Sequence, residues 1–364
     1  QEKIVQNQIE IGFRHRGVEK KMEGYPWGIG LGYAAQLHEE ISPIHAMTYV
    51  MAVEKLAGIQ ASQRVLWLRT MLAEVGRIIE HCTFLGPILV EMGGLTEFSH
   101  FFKMREACYS VLDRFLGGRM QSPLDRIGGY AIDVDEGFGE DVERVCRVVS
   151  EMVDTVEQLI VQNDAFLEKT RDVGSLSLQH VVEYGLSGPV ARASGLNYDI
   201  RRNMPYLMYE QLDFEVVLGD RGDTHDRLMV RLLEMRQSVR ILEQCMSPFL
   251  QTQGQAMIVD VPQITDPDLH HAHDSMEGAI RYFERVYVGE QIPVGEAYAY
   301  VEGANGELGF YVVSEGSGRP QRCHIRTPSF ALMQSGVEAV LGHSLEDAVT
   351  LIGSYNIDAH ELER

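Results

Sequence analysis

The groups best placed to do chemistry crowd into the stretch from Ile11 to Ala57. It opens with His15-Arg16-Gly17-Val18-Glu19-Lys20 and passes through Gly24, Pro26, Gly28, Gly30 and Gly32. It then reaches His38, Glu39, Glu40 and His45, just ahead of a helical pattern from Ala46 to Ala57. Glycines at that density let a backbone bend closely around something. The ionisable cluster sits where the chain turns back into a helix. Taken singly, Glu19 also reads as a helix-start carboxylate, and Arg16 or Arg126 as surface ion-pairing arginines. Thiolate chemistry is disfavoured: Cys82, Cys108, Cys146, Cys245 and Cys323 are scattered and none forms CxxC. Alone they cannot supply the clustered thiolates of an iron–sulfur centre, and they read as reduced thiols packed in a core. His270-His271-x-His273 has the look of a metal tract, but an exposed loop accounts for it equally.

These residues need a scaffold, and the apolar spacing supplies one. Val65, Leu68, Leu72, Val75, Ile79 and Cys82 mark a long helix over Arg64 to Leu85, with Arg69, Glu74, Arg77 and His81 at its polar positions and Gly86-Pro87 stopping or kinking it. A further helix is expected from Phe101 to Leu116, ending at Gly117-Gly118. Val142, Val145, Val149, Met152, Val156 and Leu159 form a second stripe, and Leu228, Leu232, Met235, Val239, Leu242 and Met246 a third. Such narrow seams pack near-parallel in a bundle. Ala297–Val301, Leu308–Val313 and Cys323–Arg326 read as strands around a turn at Gly303 to Gly306. Residues 1–14 read as a strand or hairpin remnant, 121–135 as a loop, and 184–209 as irregular. The fold class is therefore α+β, a central long-helix bundle with small antiparallel sheets at its ends.

Composition narrows the function. The chain has 364 residues and a net charge of −21, from 53 acidic and 32 basic side chains. That balance argues against nucleic acid as a partner and against direct docking on anionic lipid. No apolar run reaches 18 residues, so no transmembrane helix is expected. The start is polar and carries neither a signal peptide nor an initiator methionine, and reads as trimmed.

An ordered series of motifs resembles the 49-kDa-type (D-type) family of complex I, the NADH:quinone oxidoreductase, a relative of the [NiFe]-hydrogenase large subunit. The series comprises HRGVEK, AVEKLAGI, LRTMLAEVGRIIEHCTFLG, MREACYSVLDRFLGGRM, RIGG, LSGPVARASGLNYDIRRNMPY and GDRGDTHDRLMVRLLEMRQSV, and continues through DSMEGAIRYF to IGSYNIDAHELER. The resemblance implies a hydrogenase large-subunit-like fold in three parts. Residues 1–45 would form the N-terminal strand and a quinone-site-like loop region, 46–250 the bundle, and 251–364 an α/β region completing a cavity. It also implies a peripheral subunit on the cytoplasmic face of the cell membrane, between a peripheral electron-transfer arm and a membrane arm. Such a subunit binds no cofactor of its own. It packs on a small partner carrying the terminal [4Fe–4S] cluster and shapes the cavity where quinone is reduced. Electrons arrive from NADH and the energy drives ion pumping in membrane-arm subunits.

Carried over residue by residue, the resemblance places Arg16, Arg126 and Gln121 near the partner's cluster and His15 and Glu19 on a proton path. Tyr33, His38, Glu39 and Glu91 fall at the quinone site. The departures are as informative. In the family pattern Y-x-x-R-x-D-Y, the Asp becomes His38 and the headgroup-binding Tyr becomes Glu39. The cluster-bonding His of GxRMH becomes Gln121, and the sequence begins after the family's HPxxHG loop. The four hydrogenase cysteines are absent, one pair falling on His38 and Ile41, so no NiFe centre is expected. If the fold is kept, His38, Glu39, Asp358, His360 and Glu361 converge. Nitrogen and carboxylate groups there suit a divalent metal, with His38, Asp358 and Glu361 as ligand candidates, or a proton relay, or simply a solvated acidic terminus.

Overall fold

The computed structural model describes residues 2–38, 40–120, 125–261, 264–265 and 274–364, with Ser42 and Leu95 described by backbone alone. Its centre is built from four long helices: α4 (Gln63–Glu91), α5 (Leu95–Leu116), α6 (Phe138–Val161) and α11 (Thr224–Gln251). Ser62 starts α4 by accepting a hydrogen bond from Val65 N, and Gly93, at φ +93°, ends it. Pro87 neither stops nor breaks α4, which runs one turn past it. In α6 the buried seam is Val142, Val145, Val149, Val153, Val156 and Ile160. The seam thus steps by four where the sequence suggests Met152 and Leu159, because a 3.6-residue period drifts off a strict three-four alternation. The bundle core joins these seams to Leu228, Leu232, Met235, Val239 and Leu242 of α11.

Before the bundle come α1 (Val18–Gly24), α2 (Trp27–Ala35) and α3 (Ser42–Ala57). The glycine-rich passage, which reads as a bending loop in sequence, is thus largely helical. Gly30 explains why glycine is needed: a Cβ there would lie 2.6 Å from the Tyr49 hydroxyl of α3. Residues 2–14, expected as a strand, carry no regular element and are largely exposed, since little is packed against them.

After α6 the chain passes through short helices, α7 (Asp164–Thr170), α8 (Leu178–Glu183), α9 (Gly188–Ala193) and α10 (Ile200–Asn203), the last two within the 184–209 stretch that the sequence suggests is irregular. A two-stranded antiparallel ribbon, β1 (Asp125–Arg126) with β2 (Gly129–Tyr130), interrupts the expected loop. Beyond α11 and α12 (Met276–Tyr287), the strands β3 (Gly295–Glu302), β4 (Glu307–Ser314) and β5 (Arg322–Arg326) form an antiparallel sheet in that order. Ala297, Ala299 and Val301 alternate inward with Leu308, Phe310 and Val312, and pack on α3, where Tyr49 meets Phe310 edge-on at 5.6 Å. The chain closes with α13 (Pro328–Ala339), α14 (Leu345–Tyr355) and α15 (Ala359–Leu362). The architecture is α+β, as the periodicities indicate. All five cysteines are buried and unpaired.

Because Leu242 is fully buried at the meeting of α4, α6 and α11, Leu242→Ala is expected to destabilise the chain by about 2–5 kcal/mol. Urea unfolding checks this as a lower midpoint at unchanged slope.

Candidate functional site

α4 is buried on nearly every side, so its polar residues face the core rather than water. Each must then find a partner. Glu74 accepts from Tyr209 Oη and Ser238 Oγ, both at 2.6 Å, and from Arg201 at 3.1 Å. Arg77 donates to the carbonyls of Glu302 and Gly303 at 2.7 and 3.0 Å, holding the β3–β4 turn against the bundle. His81 lies 3.0 Å from Glu234 of α11, whose other oxygen is held by Arg192 at 2.8 Å. Burial works against each of these charges. Opposing partners nevertheless keep the Glu74 and Glu234 carboxyls below their ordinary range.

Further along α4, Glu80 accepts from Asn305 at 2.9 Å and from Asn356 at 2.6 Å. Both asparagines are placed by the scaffold. Asn305 sits in the β3–β4 turn that Arg77 holds. Asn356 is the left-handed residue ending α14, at φ +56°. Arg231 of α11 fixes that helix end by donating to the carbonyls of Ser354 and Tyr355 at 3.1 and 2.9 Å, and Arg227 donates to Ser354 Oγ at 2.7 Å. Burial pulls Arg231 down to about 9, against the attraction of Glu234.

Glu80 in turn faces His38, in the turn after α2. Nε2 of His38 lies 3.3 Å from Glu80, and Nδ1 lies 3.3 Å from Glu40. His38 is only 3% exposed. Burial disfavours its charge, but Glu80, Glu40 and Glu361 outweigh that and hold the imidazole protonated well above its ordinary range. Burial alone would raise Glu80, but His38 and the two asparagines bring it down to about 2. A second pair lies alongside. His45 Nε2 is 2.9 Å from Glu361 Oε1, and Ser329 Oγ donates to the other oxygen of Glu361 at 2.6 Å. The His38 and His45 rings are 5.7 Å apart, tilted by 36°. Within this cluster, His38 Nδ1, His45 Nδ1 and Glu80 Oε2 are buried without a hydrogen-bond partner among the described residues, so the approach of His38 Nδ1 to Glu40 is an ion contact.

The remaining expected site residues sit around this centre. Arg16 donates to the Gln36 carbonyl at 3.0 Å, beside the turn that carries His38. Tyr33 is half-buried on α2 and stacks on Tyr25 at 5.8 Å. His15 lies 3.1 Å from the Glu363 carbonyl. Glu19 accepts from Ile325 N at 2.8 Å and meets His324 and Arg364 at 3.0 and 3.5 Å, beside a surface groove of about 240 Å³. Arg126 is half-buried in β1. Its ribbon is anchored where Gly128 N donates to Glu54, which Arg69 grips with two bonds of 2.7 and 2.8 Å. Gly129 has φ +147°, and a Cβ there would lie 1.9 Å from the Met257 carbonyl, so only glycine fits. Glu91 is exposed at the end of α4. Glu39, Gln121 and the 270–273 histidines lie outside the described residues.

His38, Asp358 and Glu361 are not among the described groups that bring three ligand atoms within 4.8 Å of one another. Asp358 uses Oδ1 to cap α15, accepting from His360 N and Glu361 N, while Glu361 turns to His45. Asp223, His225 and Asp226 do bring ligand atoms within 4.8 Å of one another. There, however, Asp223 caps α11, and Asp226 accepts from the backbone of Asp220 and Arg221. Glu80, Asn305 and Asn356 are not singled out by the sequence, and neither is the pairing of His45 with Glu361. The available signal is Glu74, Arg77, Glu80 and His81, four ionisable residues within eight positions of a helix whose other residues are mostly apolar.

Comparison with known proteins agrees with the motif series. Residues 91–364 match the family model described as the 49 Kd subunit of respiratory-chain NADH dehydrogenase. The chain is 37% identical over 363 residues to an NADH-quinone oxidoreductase subunit (type C/D) of Bdellovibrio bacteriovorus, of whose length it spans 64%. It is 35% identical over 364 residues to an NADH-quinone oxidoreductase subunit (type D) of Pelobacter propionicus, spanning 89% of that protein. It is 35% identical over 363 residues to one of the same type from Myxococcus xanthus, spanning 87%. In each case the match covers the whole of this chain.

Removing one partner of a buried pair leaves the other unmatched, so Glu80→Gln is expected to cost about 3–5 kcal/mol near neutral pH. The pH dependence follows from the shifts. Glu80 is depressed to about 2 in the folded chain, so its stabilisation is present above the ordinary value of 4.5 and lost as pH falls toward about 2. His38 is raised, so its stabilisation is complete below the ordinary 6.5 and lost as pH climbs through the raised value. Urea unfolding across this range is expected to show both limbs in the parent and both weakened in the variant, because Glu80 is also a principal charge holding His38 protonated.

Proposed function

The chain belongs to the 49 kDa subunit family of respiratory-chain NADH dehydrogenase, and from that membership we propose that it shapes the quinone-reducing cavity of a complex I-type membrane assembly. In this reading it is a peripheral subunit at the cytoplasmic face of the membrane. It packs against a small subunit whose [4Fe–4S] cluster delivers electrons that originate on NADH. Membrane-arm subunits use the energy to move ions. No helix among the described residues is long and apolar enough to cross a bilayer, which fits a peripheral position.

The observation that carries the reading is His38. The resemblance puts the quinone headgroup at the turn after α2, and at that turn stands an imidazole kept protonated between Glu40 and Glu80. Reduction of a quinone takes two electrons and two protons, so the cavity needs a proton donor. A histidine whose charge is held by two carboxylates is such a donor. Glu40 is partly exposed and links it to solvent, while Glu80 fixes the ring from inside. Arg16 and Arg126, both cationic, would favour the reduced form of a neighbouring cluster.

His38→Gln is expected to lower inhibitor-sensitive NADH:quinone turnover of the purified assembly by about 10²–10⁴-fold. Reduction of the iron–sulfur clusters by NADH should stay intact. Turnover at the parent rate, in an assembly with normal clusters, would remove His38 from the reaction.

A further inference from the structure

A cavity of about 540 Å³ lies between the end of α3, the start of α4, the 204–207 turn and β3, and shares no lining residue with the His38 cluster. Met51, Leu66, Tyr206 and Leu207 give it apolar walls. Tyr298, Ala299 and Tyr300 line it as well. Successive strand residues point to opposite faces, so a cavity that meets all three straddles an edge of the sheet. That edge is free: in the order β3-β4-β5, β3 has one neighbouring strand among the described residues. The register tells which backbone groups the edge offers. Gly303 and Gly306 exchange both backbone bonds, at 2.8 and 3.3 Å. Counted back by twos along the paired strands, Val301, Ala299 and Ala297 bond to β4, while Glu302, Tyr300 and Tyr298 turn their N–H and C=O outward. Glu302 N donates to Tyr206 Oη at 3.1 Å, and Lys55 Nζ donates to Tyr298 O at 3.0 Å. Tyr298 N and both backbone groups of Tyr300 have no hydrogen-bond partner among the described residues. Of the charged lining residues, Glu54 and Arg69 pair with each other, so Lys55 leaves the cavity net positive in a chain of net charge −21.

We propose that β3 receives an extended segment of another subunit of the assembly as a fourth strand, with apolar side chains filling the cavity and an acidic group meeting Lys55. An outward N–H and C=O on one residue, Tyr300, is the pair that an added strand satisfies, and a small molecule or lipid tail does not match it at strand spacing. Apolar walls on both sides of the edge select a segment with apolar side chains on both of its faces. The net positive cavity selects acidic company, and a second copy of this chain is disfavoured because both copies carry −21. A lysine on an edge strand can simply guard it against aggregation. Here Lys55 covers Tyr298 O and leaves the Tyr300 pair open. The family is one of subunits of a larger respiratory enzyme, which supplies the partner. The proposal uses that membership but not the quinone reading, and turnover is not among its readouts.

The test is photo-crosslinking in the intact purified assembly. Gln60, exposed on the cavity lining, is replaced by the photoreactive residue (Gln60→benzoylphenylalanine), and the cross-linked peptides are read by mass spectrometry. The expected product joins this chain to one continuous segment of one other subunit. Tyr300→Pro removes the outward N–H but no bond to β4, since Pro is tolerated on an edge strand. Ala61→Trp fills the cavity without touching β3. Either change, made alongside the photoreactive residue, should lower the cross-link yield about tenfold or more. Amide exchange at Tyr298 and Tyr300 should be about tenfold slower or more in the parent assembly than in the Ala61→Trp assembly. A parent that cross-links to no other subunit, only to a second copy of this chain, or only to lipid overturns the proposal. So does a yield or an exchange rate unchanged by both variants. If neither variant assembles, the identity of the parent's cross-linked segment decides.

Discussion

A charge taken out of water must be met by another, and this requirement organises the molecule from α4 outward. Glu74, Arg77, Glu80 and His81 lie on a helix with almost no solvent face, so each draws in a partner from a different part of the chain. Arg201 comes from α10, Glu234 from α11, the Glu302 and Gly303 carbonyls from the sheet, and Asn356 from the end of α14. Apolar seams bring the helices together, but they would tolerate sliding by a turn. The ionic partners would not, because a slip would leave several buried charges unmatched. The position of His38 follows from this. Arg231 sets the end of α14, the end of α14 sets Asn356, and Asn356 with Asn305 sets Glu80.

The architecture is legible in the sequence where periodicity is strong. The bundle helices, the three-stranded sheet and the left-handed stop at Gly117 follow from apolar spacing and turn residues, with ends a few residues off. The glycine-rich passage reads as a loop because Gly has poor helix propensity. Tertiary contact with Tyr49, and the hydrogen bond from Gly28 N to Glu290, override that preference. The N-terminal residues alternate like a strand but have no neighbouring strand to pair with among the described residues.

The site is half legible. His38 stands out because it replaces an acid in a recognisable motif, and Glu361 because it is among the groups that converge if the fold is kept. Glu80 does not stand out. On a helix expected to have a polar face, a glutamate attracts no notice, and only the burial of that face turns it into the counter-charge of His38. His45 likewise becomes informative only once the C-terminal α15 folds back onto α3, a contact across 316 positions of sequence that no local pattern encodes.

In the proposed reading the cavity wall carries the protonated imidazole of His38 where the family pattern has Asp. The most direct measurement is a cryo-EM map of the whole assembly with a quinone-site inhibitor or short-chain quinone bound. Headgroup density is expected with an oxygen within hydrogen-bond distance of the His38 ring, between the turn after α2 and the end of α14. Headgroup density lodged elsewhere, with His38 still enclosed by Glu40 and Glu80, would contradict the role given to His38.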